Sequence, residues 1–408
     1  MKKNKKKVNS LLIGAISLFL GGSIPANYLI DNFVNSDLKV KSTQLNWTNY
    51  NLNQDSKLME NSYYYIKDFK LTELNWFGSH DSGTYGSGSG SLGMDAKENG
   101  FINFINSIGM YSNIWKLAKM QVNSIKDQLK EGVRYLDLRI STKQTDKSFT
   151  NYTIDDMYIT HTSLFEKFTN IVSQINDFIK ENPNEMILID INHWYPSDLN
   201  NGNMQQKVLD YFVKVFGNKL ATTDNYNLTD NFGKFIDPKN PQNNKNILLF
   251  FTGSRIKSNY VYNSLNSKDL NYIGSNASSG NKLISYWTGD GVYHTKDIIS
   301  KIDSFLETKK QHSNNIYVVQ AIPNWDGWQY FSGCCQGATG FQMDNWWNIG
   351  NDVTNYFINK WYTKNTESKY DGLVVMVNNA SAKKNNILNR IRWSFQNKWL
   401  NKVAPNRV

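Results

Sequence analysis

The chain has 408 residues, of which 40% are hydrophobic and 14% aromatic, so it can fold around a large core. Its formal net charge is +10, but five of those charges are lysines among the first seven residues and the rest are scattered, which argues against nucleic-acid binding. Cys334 and Cys335 are adjacent, and neighbouring cysteines rarely form a disulfide, so the fold must depend on packing.

The first 26 residues have the pattern of a signal peptide. The basic start MKKNKKKVNS precedes the apolar run LLIGAISLFLGG, and Ala26 offers a small residue for cleavage. The run is too short for a typical transmembrane helix. We therefore expect residues 1–26 to be a signal peptide and the protein to be secreted, with surface tethering by an uncleaved segment as the alternative. Residues 27–65 are polar and weakly periodic, which predicts an N-terminal extension.

From residue 66 onward, short apolar runs alternate with helical patterns, which is typical of an α/β protein with mostly parallel strands. The strand candidates in chain order are LNWF (residues 74–77), VRYLDLRI, MYITH, MILIDIN, NILLFF, ISYW, IYVVQAI and GLVVMVN. After MYITH, apolar residues at spacings of three and four predict an amphipathic helix over residues 165–179. Eight strands favour a (β/α)8 barrel at residues 66–400, although the count alone leaves an open doubly wound sheet possible.

Polar side chains that could carry chemistry lie at the ends of these strands. They are His80 and Asp81 after the first strand, Arg139 at the second, His161 at the third, Asn192 and His193 at the fourth, and Asn378 at the last. The carboxyl ends of parallel strands meet at one face of a barrel, where catalytic groups lie. Two histidines and an arginine are suited to phosphoryl transfer, because one imidazole can accept a proton, the other can donate one, and the guanidinium neutralises the phosphate.

Several of these residues also have a purely structural interpretation. His80 and Asp81 could close a turn, His161 could be a buried histidine with a satisfied hydrogen bond, and Asn192 and His193 could simply end a strand.

The neighbours of the histidine and arginine motifs lead to two further expectations. Asp137 and Arg139 are two residues apart on one strand and face the same side, so we expect Asp137 to be the partner of Arg139. The tract GTYGSGSGSLG lacks the ending of a phosphate loop and the register of a nucleophile elbow. We therefore expect a mobile loop at the mouth of the barrel.

The motifs resemble those of phosphatidylinositol-specific phospholipase C and its X-domain-containing relatives, of the bacterial, metal-independent type. The matching pieces, in family order, are FGSHDSGTY, IKDQLKEGVRYLDLRI, MYITHTSL, INDFIKENPNEMILIDINHWY, ISYWTGDGVYHTKDIISKIDSFLE and DGLVVMVNNAS. The resemblance implies an irregular or partly open TIM barrel. It also implies cleavage of an inositol phospholipid or glycolipid, in which the inositol 2-hydroxyl attacks phosphorus to give diacylglycerol and a cyclic inositol phosphate.

By this resemblance, His80 is the general base and His161 the general acid. Asp81 is the carboxylate that orients the acid histidine, and Arg139 contacts the phosphate. The residues expected to bind substrate or to support this group are Asp137, Asn192, His193, Asn378 and Trp287. Calcium-dependent relatives have an acidic ligand in place of Arg139, so the resemblance implies catalysis without a metal or another cofactor.

The chain departs from the family pattern at two positions. The family usually has an aspartate on the last strand, whereas this chain has Asn378, whose amide can orient an imidazole but cannot stabilise imidazolium by charge. This change points to slower turnover. The inositol-binding arginine of the fifth strand is missing from NILLFFTGSR, where Arg255 lies beyond the strand, so the preferred headgroup stays open.

Residues 322–347 are rich in aromatic side chains without clean helical or strand periodicity. The aromatic residues are Trp325, Trp328, Tyr330, Phe331, Phe341, Trp346 and Trp347. They could form a small core beneath a long loop, or a rim that contacts a membrane surface.

Two other functions stay open. A metal-dependent glycerophosphodiester or sphingomyelin-type phosphodiesterase would need acidic ligands, for which Asp81 and Asp137 are the candidates. The five histidines and two cysteines show no spacing typical of a zinc site. A non-catalytic lipid-binding barrel is the third possibility, and Asn378 is the residue that favours it.

Overall fold

The buried apolar runs form one sheet in the computed structural model. The structure describes residues 52–89, 91–98, 102, 111–143, 152–195, 201–267, 282–289, 291–309, 314–325, 329, 332–333, 335–346, 352–353, 355–356 and 371–403. The expected signal peptide and most of the expected extension lie outside these residues. Within them, no helix is both long enough and apolar enough to cross a bilayer.

Eight parallel strands of the described chain close into a barrel. The strands of the sheet are β1 Trp76–Ser79, β2 Tyr135–Ser141, β3 Tyr158–His161, β4 Ser163–Lys167, β5 Ile187–Tyr195, β6 Ile247–Thr252, β7 Val261–Ser267, β8 Lys282–Tyr286, β9 Ile316–Gln320 and β10 Leu373–Val377. Parallel pairing runs β1-β2-β5-β6-β7-β8-β9-β10, and β10 pairs with β1. The ring is hydrogen-bonded all the way round, which confirms the predicted TIM barrel and excludes an open sheet.

One predicted barrel strand is wrong and another was missed. The run MYITH corresponds to β3, which pairs antiparallel with β2 and with β4 and so forms a hairpin outside the barrel ring. The missing strand is β7, whose sequence VYNSLNS is rich in Asn and Ser, residues that do not signal a strand. The predicted total of eight was right because the two errors cancel.

The helices of the described chain pack around this ring. They are α1 Leu58–Ile66, α2 Asp95–Glu98, α3 Tyr111–Ala118, α4 Ile125–Lys130, α5 Phe168–Glu181, α6 Asn201–Phe216, α7 Phe232–Phe235, α8 Thr295–Lys309, α9 Gly340–Trp346 and α10 Ala380–Val403, with short 3-10 turns at Leu52–Lys57, Leu71–Glu73, Ile154–Asp156, Gly217–Lys219 and Pro241–Asn243. The predicted amphipathic helix is α5, which buries apolar residues three and four apart. Its expected first residues belong to β4 instead.

The barrel is irregular in two places. The hairpin β3–β4 extends the sheet beyond β2. Residues 253–260, all of them described, connect β6 to β7 without a helix. The first strand also packs closely against its neighbours, because a Cβ atom at Gly78 would lie 2.8 Å from both the Tyr135 ring and a methyl group of Val374.

The segment from residue 52 to α1 packs against the amino ends of the strands, opposite the mouth. Glu185, two residues before β5, accepts hydrogen bonds from the backbone N–H groups of Met59 and Glu60 at 3.0 and 2.8 Å. The same carboxylate lies 2.6 Å from the guanidinium of Arg134, and neither side chain of this ion pair is exposed. Part of the expected N-terminal extension is therefore held against the barrel by backbone hydrogen bonds to one member of a buried ion pair.

Candidate active site

The mouth of the barrel brings the two predicted catalytic histidines together. His80 directly follows β1, and His161 is the last residue of β3. Their ring centroids are 6.2 Å apart and their ring planes meet at 71°. Only 9% of the His80 side chain and 18% of the His161 side chain is exposed. The two imidazoles therefore belong to one site, as the sequence predicted.

His161 reaches this site by a route that the sequence did not reveal. In the antiparallel pairing of β3 with β2, Ile159 lies opposite Ile140 and Tyr158 opposite Ser141. β3 therefore runs in the direction opposite to β2. His161 ends a returning hairpin strand and not a parallel barrel strand.

The ring of His80 is held on both sides. Its Nδ1 lies 2.7 Å from Oδ1 of Asn378, which only accepts hydrogen bonds, so Nδ1 carries the proton. Its Nε2 lies 3.1 Å from Nη2 of Arg139, which only donates. Nδ1 thus faces Asn378, and Nε2 is the ring nitrogen that faces the guanidinium of Arg139.

The backbone around His80 and Asn378 is fixed by Gln121, a residue that the sequence analysis missed. Its Nε2 donates to the carbonyl oxygens of His80 at 2.8 Å and Val377 at 3.1 Å. Its Oε1 accepts from the backbone N–H of Ala380 at 3.0 Å. One buried amide thus joins the ends of β1 and β10 to the start of α10, and no local sequence pattern signals such a role.

Asp81 is the central charge of the site. Its Oδ1 lies 2.6 Å from Nε of Arg139, and its Oδ2 lies 3.2 Å from Nε2 of His80 and 3.5 Å from Nδ1 of His161. Burial raises the pKa of Asp81, but the guanidinium and the two imidazoles outweigh burial and hold this pKa at about 2. Asp81 therefore stays ionised and faces all three partners.

Asp137, the expected partner of Arg139, forms no direct ion pair with the guanidinium, although its charge raises the pKa of Arg139. Its Oδ2 accepts a hydrogen bond from the backbone N–H of Asp81 at 3.0 Å and lies 4.0 Å from Nε2 of His80. Asp137 and Arg139 do face the same side of β2, but Asp137 lies two residues deeper in the barrel, whereas Asp81 reaches the guanidinium from the turn after β1. Asp137 thus supports the turn that presents Asp81.

A second buried carboxyl lies beside Asp137 in the barrel interior. Asp190 on β5 is the strand neighbour of Asp137, and neither residue is exposed. The hydroxyl of Tyr135 donates to Oδ2 of Asp190 at 3.0 Å. Burial and the charge of Asp137 raise the pKa of Asp190 to about 8. Asp190 therefore holds a proton at neutral pH.

His161 is held through its Nδ1, which donates to the carbonyl oxygen of Ala118 at 3.0 Å. Burial lowers the pKa of His161, and the Asp81 carboxylate opposes this effect by favouring the charged ring. Since Nδ1 is committed to Ala118, Nε2 is the nitrogen that can give a proton to a ligand.

The glycine and serine tract after Asp81, which the sequence predicts to be a mobile loop, forms backbone hydrogen bonds with the hairpin that carries His161. The backbone N–H of Ser89 donates to the carbonyl of Leu164 at 2.7 Å, and the N–H of Leu164 donates to the carbonyl of Ser91 at 2.9 Å. Leu92 forms an isolated antiparallel bridge with Ser163. Because the outer edge of β4 offers unpaired backbone groups, the tract adds to the hairpin that carries His161.

Three non-glycine residues of the described chain have positive φ, and all three flank the site. They are Asp81 at +43°, Thr162 at +66° and Asn379 at +46°. The left-handed region is uncommon for residues other than glycine, and strained backbone is concentrated at functional sites. The turns next to His80, His161 and Asn378 therefore share one unusual conformation.

The remaining predicted residues lie at the same end of the barrel. The register between β2 and β5 shifts so that Arg139 faces His193, which leaves Asn192 as the bulged residue. The ring of His193 stacks on Tyr195 with centroids 5.9 Å apart, and its charge contributes to the low pKa of Asp81. Trp287 follows β8, and its indole N–H donates to Oδ1 of Asn324 at 2.8 Å.

The aromatic segment is described only in part. Trp325 is buried and stacks on Tyr293 with centroids 5.6 Å apart, as expected for a small core. The residues Trp328, Tyr330, Phe331 and Trp347 lie outside the described residues.

Three side chains at the site are close enough together to hold a cation. Donor atoms of His80, Asp81 and Asp137 all lie within 4.8 Å of one another. The guanidinium of Arg139, however, contacts both Asp81 and His80. A positive group of the protein itself therefore already pairs with two of the three donors.

Residues 100–250 match the family model described as phosphatidylinositol-specific phospholipase C, X domain. This match confirms the family resemblance carried by the ordered motifs. Arg139 and His161 lie within the matched residues, whereas His80, Asp81 and Asn378 lie outside them.

Several curated proteins and solved structures are similar to this chain. PI-PLC X domain-containing protein 3 of Mus musculus is 29% identical over 159 residues, which cover 38% of this chain and 46% of that protein. Variant-surface-glycoprotein phospholipase C of Trypanosoma cruzi is 25% identical over 150 residues, covering 34% of this chain and 36% of that protein. The chain thus spans less than half the length of these relatives. Phosphatidylinositol-specific phospholipase C from Listeria monocytogenes aligns with 79% of this chain and 95% of its own, with a TM-score of 0.49 and 15% identity.

Proposed function

We propose that the protein is a phosphodiesterase of the phospholipase C type that cleaves phosphatidylinositol or a related inositol phospholipid or glycolipid without a metal ion. One observation carries this proposal: His80 and His161 lie 6.2 Å apart between ring centroids, and both contact the Asp81 carboxylate that pairs with Arg139. This set supplies a base, an acid and a fixed positive charge.

His80 is the general base of the proposed reaction. Its Nε2 takes the proton of the inositol 2-hydroxyl while that oxygen forms a bond to phosphorus. The resulting imidazolium keeps its Nδ1–H bond to Asn378 and lies 3.2 Å from the Asp81 carboxylate through Nε2. Asp81 thus provides the charge that the Asn378 amide lacks.

Arg139 and His161 complete the displacement. The guanidinium of Arg139 neutralises the oxygens of the phosphate as charge develops on them. His161, protonated on both nitrogens, gives its Nε2 proton to the glycerol oxygen as the phosphorus–oxygen bond breaks. The products are diacylglycerol and a cyclic inositol phosphate, and the proton that His80 gained balances the proton that His161 lost.

The proposal is tested by phosphorus NMR of the purified protein with phosphatidylinositol vesicles, with and without a chelator. A cyclic phosphodiester is expected in both samples, and none above background with His80→Ala or His161→Ala. His294→Ala is the matched control, because His294 is exposed, and it should keep full activity. A phosphomonoester as first product, or loss of activity with chelator, would favour the metal-dependent phosphodiesterase.

A non-catalytic lipid-binding barrel is distinguished by measuring vesicle binding beside turnover. Binding without product, unchanged by His80→Ala, would replace the enzymatic proposal. The same vesicle assay tests the proposed contact of residues 322–347 with the membrane surface, because replacing Trp328 and Trp347 by alanine should then weaken binding.

We also propose that residues 1–26 direct the protein out of the cell. Amino-terminal sequencing of the exported protein should then begin at Asn27. An intact Met1 on exported protein would instead support the tethered form.

A further inference from the structure

We infer that Asp95 is a positioning residue for the acid histidine, an inference that rests on the proposed function. Asp95 is the first residue of α2 and lies just beyond the glycine and serine tract. Its side chain accepts hydrogen bonds from the residues on both sides of His161, and it forms no hydrogen bond or ion pair with the His161 ring. Its role is therefore to fix the position and orientation of the His161 imidazole.

The Asp95 carboxylate accepts two hydrogen bonds from the neighbours of His161. The hydroxyl of Thr160 donates to Oδ1 of Asp95 at 2.8 Å, and the backbone N–H of Thr162 donates to Oδ2. A third bond joins the same segments, because the N–H of Gly93 donates to the carbonyl of Thr162 at 2.9 Å. Asp95 thus ties the residues before and after His161 to one carboxylate.

The close approach of the two segments depends on Gly93. A Cβ atom at this position would lie 2.1 Å from Oγ1 of Thr160 and 2.3 Å from Oδ1 of Asp95. A side chain would therefore push the carboxylate away from the hairpin.

The Asp95 carboxylate stabilises a strained backbone conformation at Thr162. Its φ of +66° is unfavourable for a threonine, whose Cβ is branched. The bond that its N–H donates to Asp95 and the bond that its carbonyl accepts from the N–H of Gly93 offset that strain. The turn they stabilise sets the direction in which the His161 side chain leaves the backbone, so loss of Asp95 should let the ring turn away from the leaving oxygen.

Leaving-group dependence separates this role from a general structural one. Phosphatidylinositol releases an alkyl oxygen, which needs a proton from the acid, whereas a 4-nitrophenyl ester of inositol phosphate releases an aryl oxide, which needs little help. In Asp95→Asn and Asp95→Ala, kcat for phosphatidylinositol should fall by about 100-fold, and kcat for the aryl ester by only about threefold. His161→Ala should show the same selective loss, and His80→Ala should lose both activities.

Asp156→Asn is the matched control. Asp156 is an exposed carboxylate that accepts from the N–H and hydroxyl of Thr153, just before β3. Its replacement should leave the ratio of the two activities unchanged. If the Asp95 variants unfold, Thr160→Val removes one of the two bonds from the other side and should change the ratio in the same direction.

The outcomes for the inference and for the proposed function are distinct. A wild-type protein that cleaves neither substrate would refute the proposed function. A wild-type protein that cleaves both, combined with Asp95 and Thr160 variants that slow both equally, would overturn the positioning role and leave the function standing.

Discussion

The imidazole of His80 donates through Nδ1 to the side-chain oxygen of Asn378 over 2.7 Å. The amide therefore fixes the tautomer and the orientation of the proposed base, but it adds no negative charge. The Asp81 carboxylate, 3.2 Å from Nε2, lies on the other side of the ring. Orientation and charge are thus supplied to His80 by two different residues.

Because Asn378 orients His80 without adding charge, we expect Asn378→Asp to raise kcat on phosphatidylinositol by about tenfold. A carboxylate at this position would stabilise the imidazolium at Nδ1 in addition to the existing charge at Nε2. Initial rates of product release measure the effect. Asn379→Asp adds the same charge one residue away and should give no increase, so equal rates for the two variants would contradict the division of roles.

Arg139→Lys is expected to lower kcat by about 100- to 1000-fold. Arg139 contacts Asp81 through Nε and His80 through Nη2, and a single ammonium group cannot reach both while also meeting a phosphate. Arg255→Lys is the control, because Arg255 is exposed beyond β6. A loss no greater than that of the control, measured as kcat at saturating substrate, would argue against a phosphate contact.

Glu185→Gln is expected to lower the free energy of unfolding by about 3 to 5 kcal/mol, because the buried guanidinium of Arg134 would lose the carboxylate with which it pairs. Urea unfolding followed by tryptophan fluorescence measures the change. Lys234→Ala removes the exposed ion pair with Asp230 and should cost less than about 1 kcal/mol. Similar costs for the two variants would show that the ion pair at the amino ends of the strands contributes little.

Asp190 predicts a particular dependence of stability on pH. Burial and Asp137 raise its pKa from 3.8 to about 8, so between these values the folded protein holds a proton that the unfolded chain has released. Stability should therefore fall as pH rises through this window, by up to about 1.4 kcal/mol per pH unit.

Asp190→Asn should remove this slope, because an amide does not titrate. Urea unfolding at pH 5 and at pH 7.5 should show a smaller loss for the variant than for the wild type. Asp210→Asn, an exposed position, should keep the wild-type slope. If Asp190→Asn leaves the pH dependence of stability unchanged, the raised pKa belongs to another group.

The barrel and most of its mouth could be predicted because they depend on local patterns. Buried parallel strands appear as continuous apolar runs, and polar residues that follow them must meet at one face. The positions of His80, Arg139 and Asn378 followed from that rule alone. The hairpin did not, because β3 has the same apolar pattern as a barrel strand and its antiparallel direction depends on long-range pairing.

The residues that hold the site were not predictable from the sequence. Gln121 and Asp95 act through bonds to backbone groups that are distant in sequence, and an isolated polar residue in a loop carries no periodic signal. The pairing of Arg139 with Asp81 in place of Asp137 depends on depth in the barrel. Such differences of a few ångströms are set by the packed structure and not by spacing along one strand.

The pairing of β1 with β10 also has a consequence for how the molecule forms. The two strands close the ring, and the His80 and Asn378 side chains that meet above them are 298 positions apart in the chain. Contacts of such long range form slowly, since a large loop of chain must be brought together first. While β10 has not yet been synthesised, Asn378 cannot orient the imidazole of His80. The proposed activity should therefore arise only after synthesis and folding have finished.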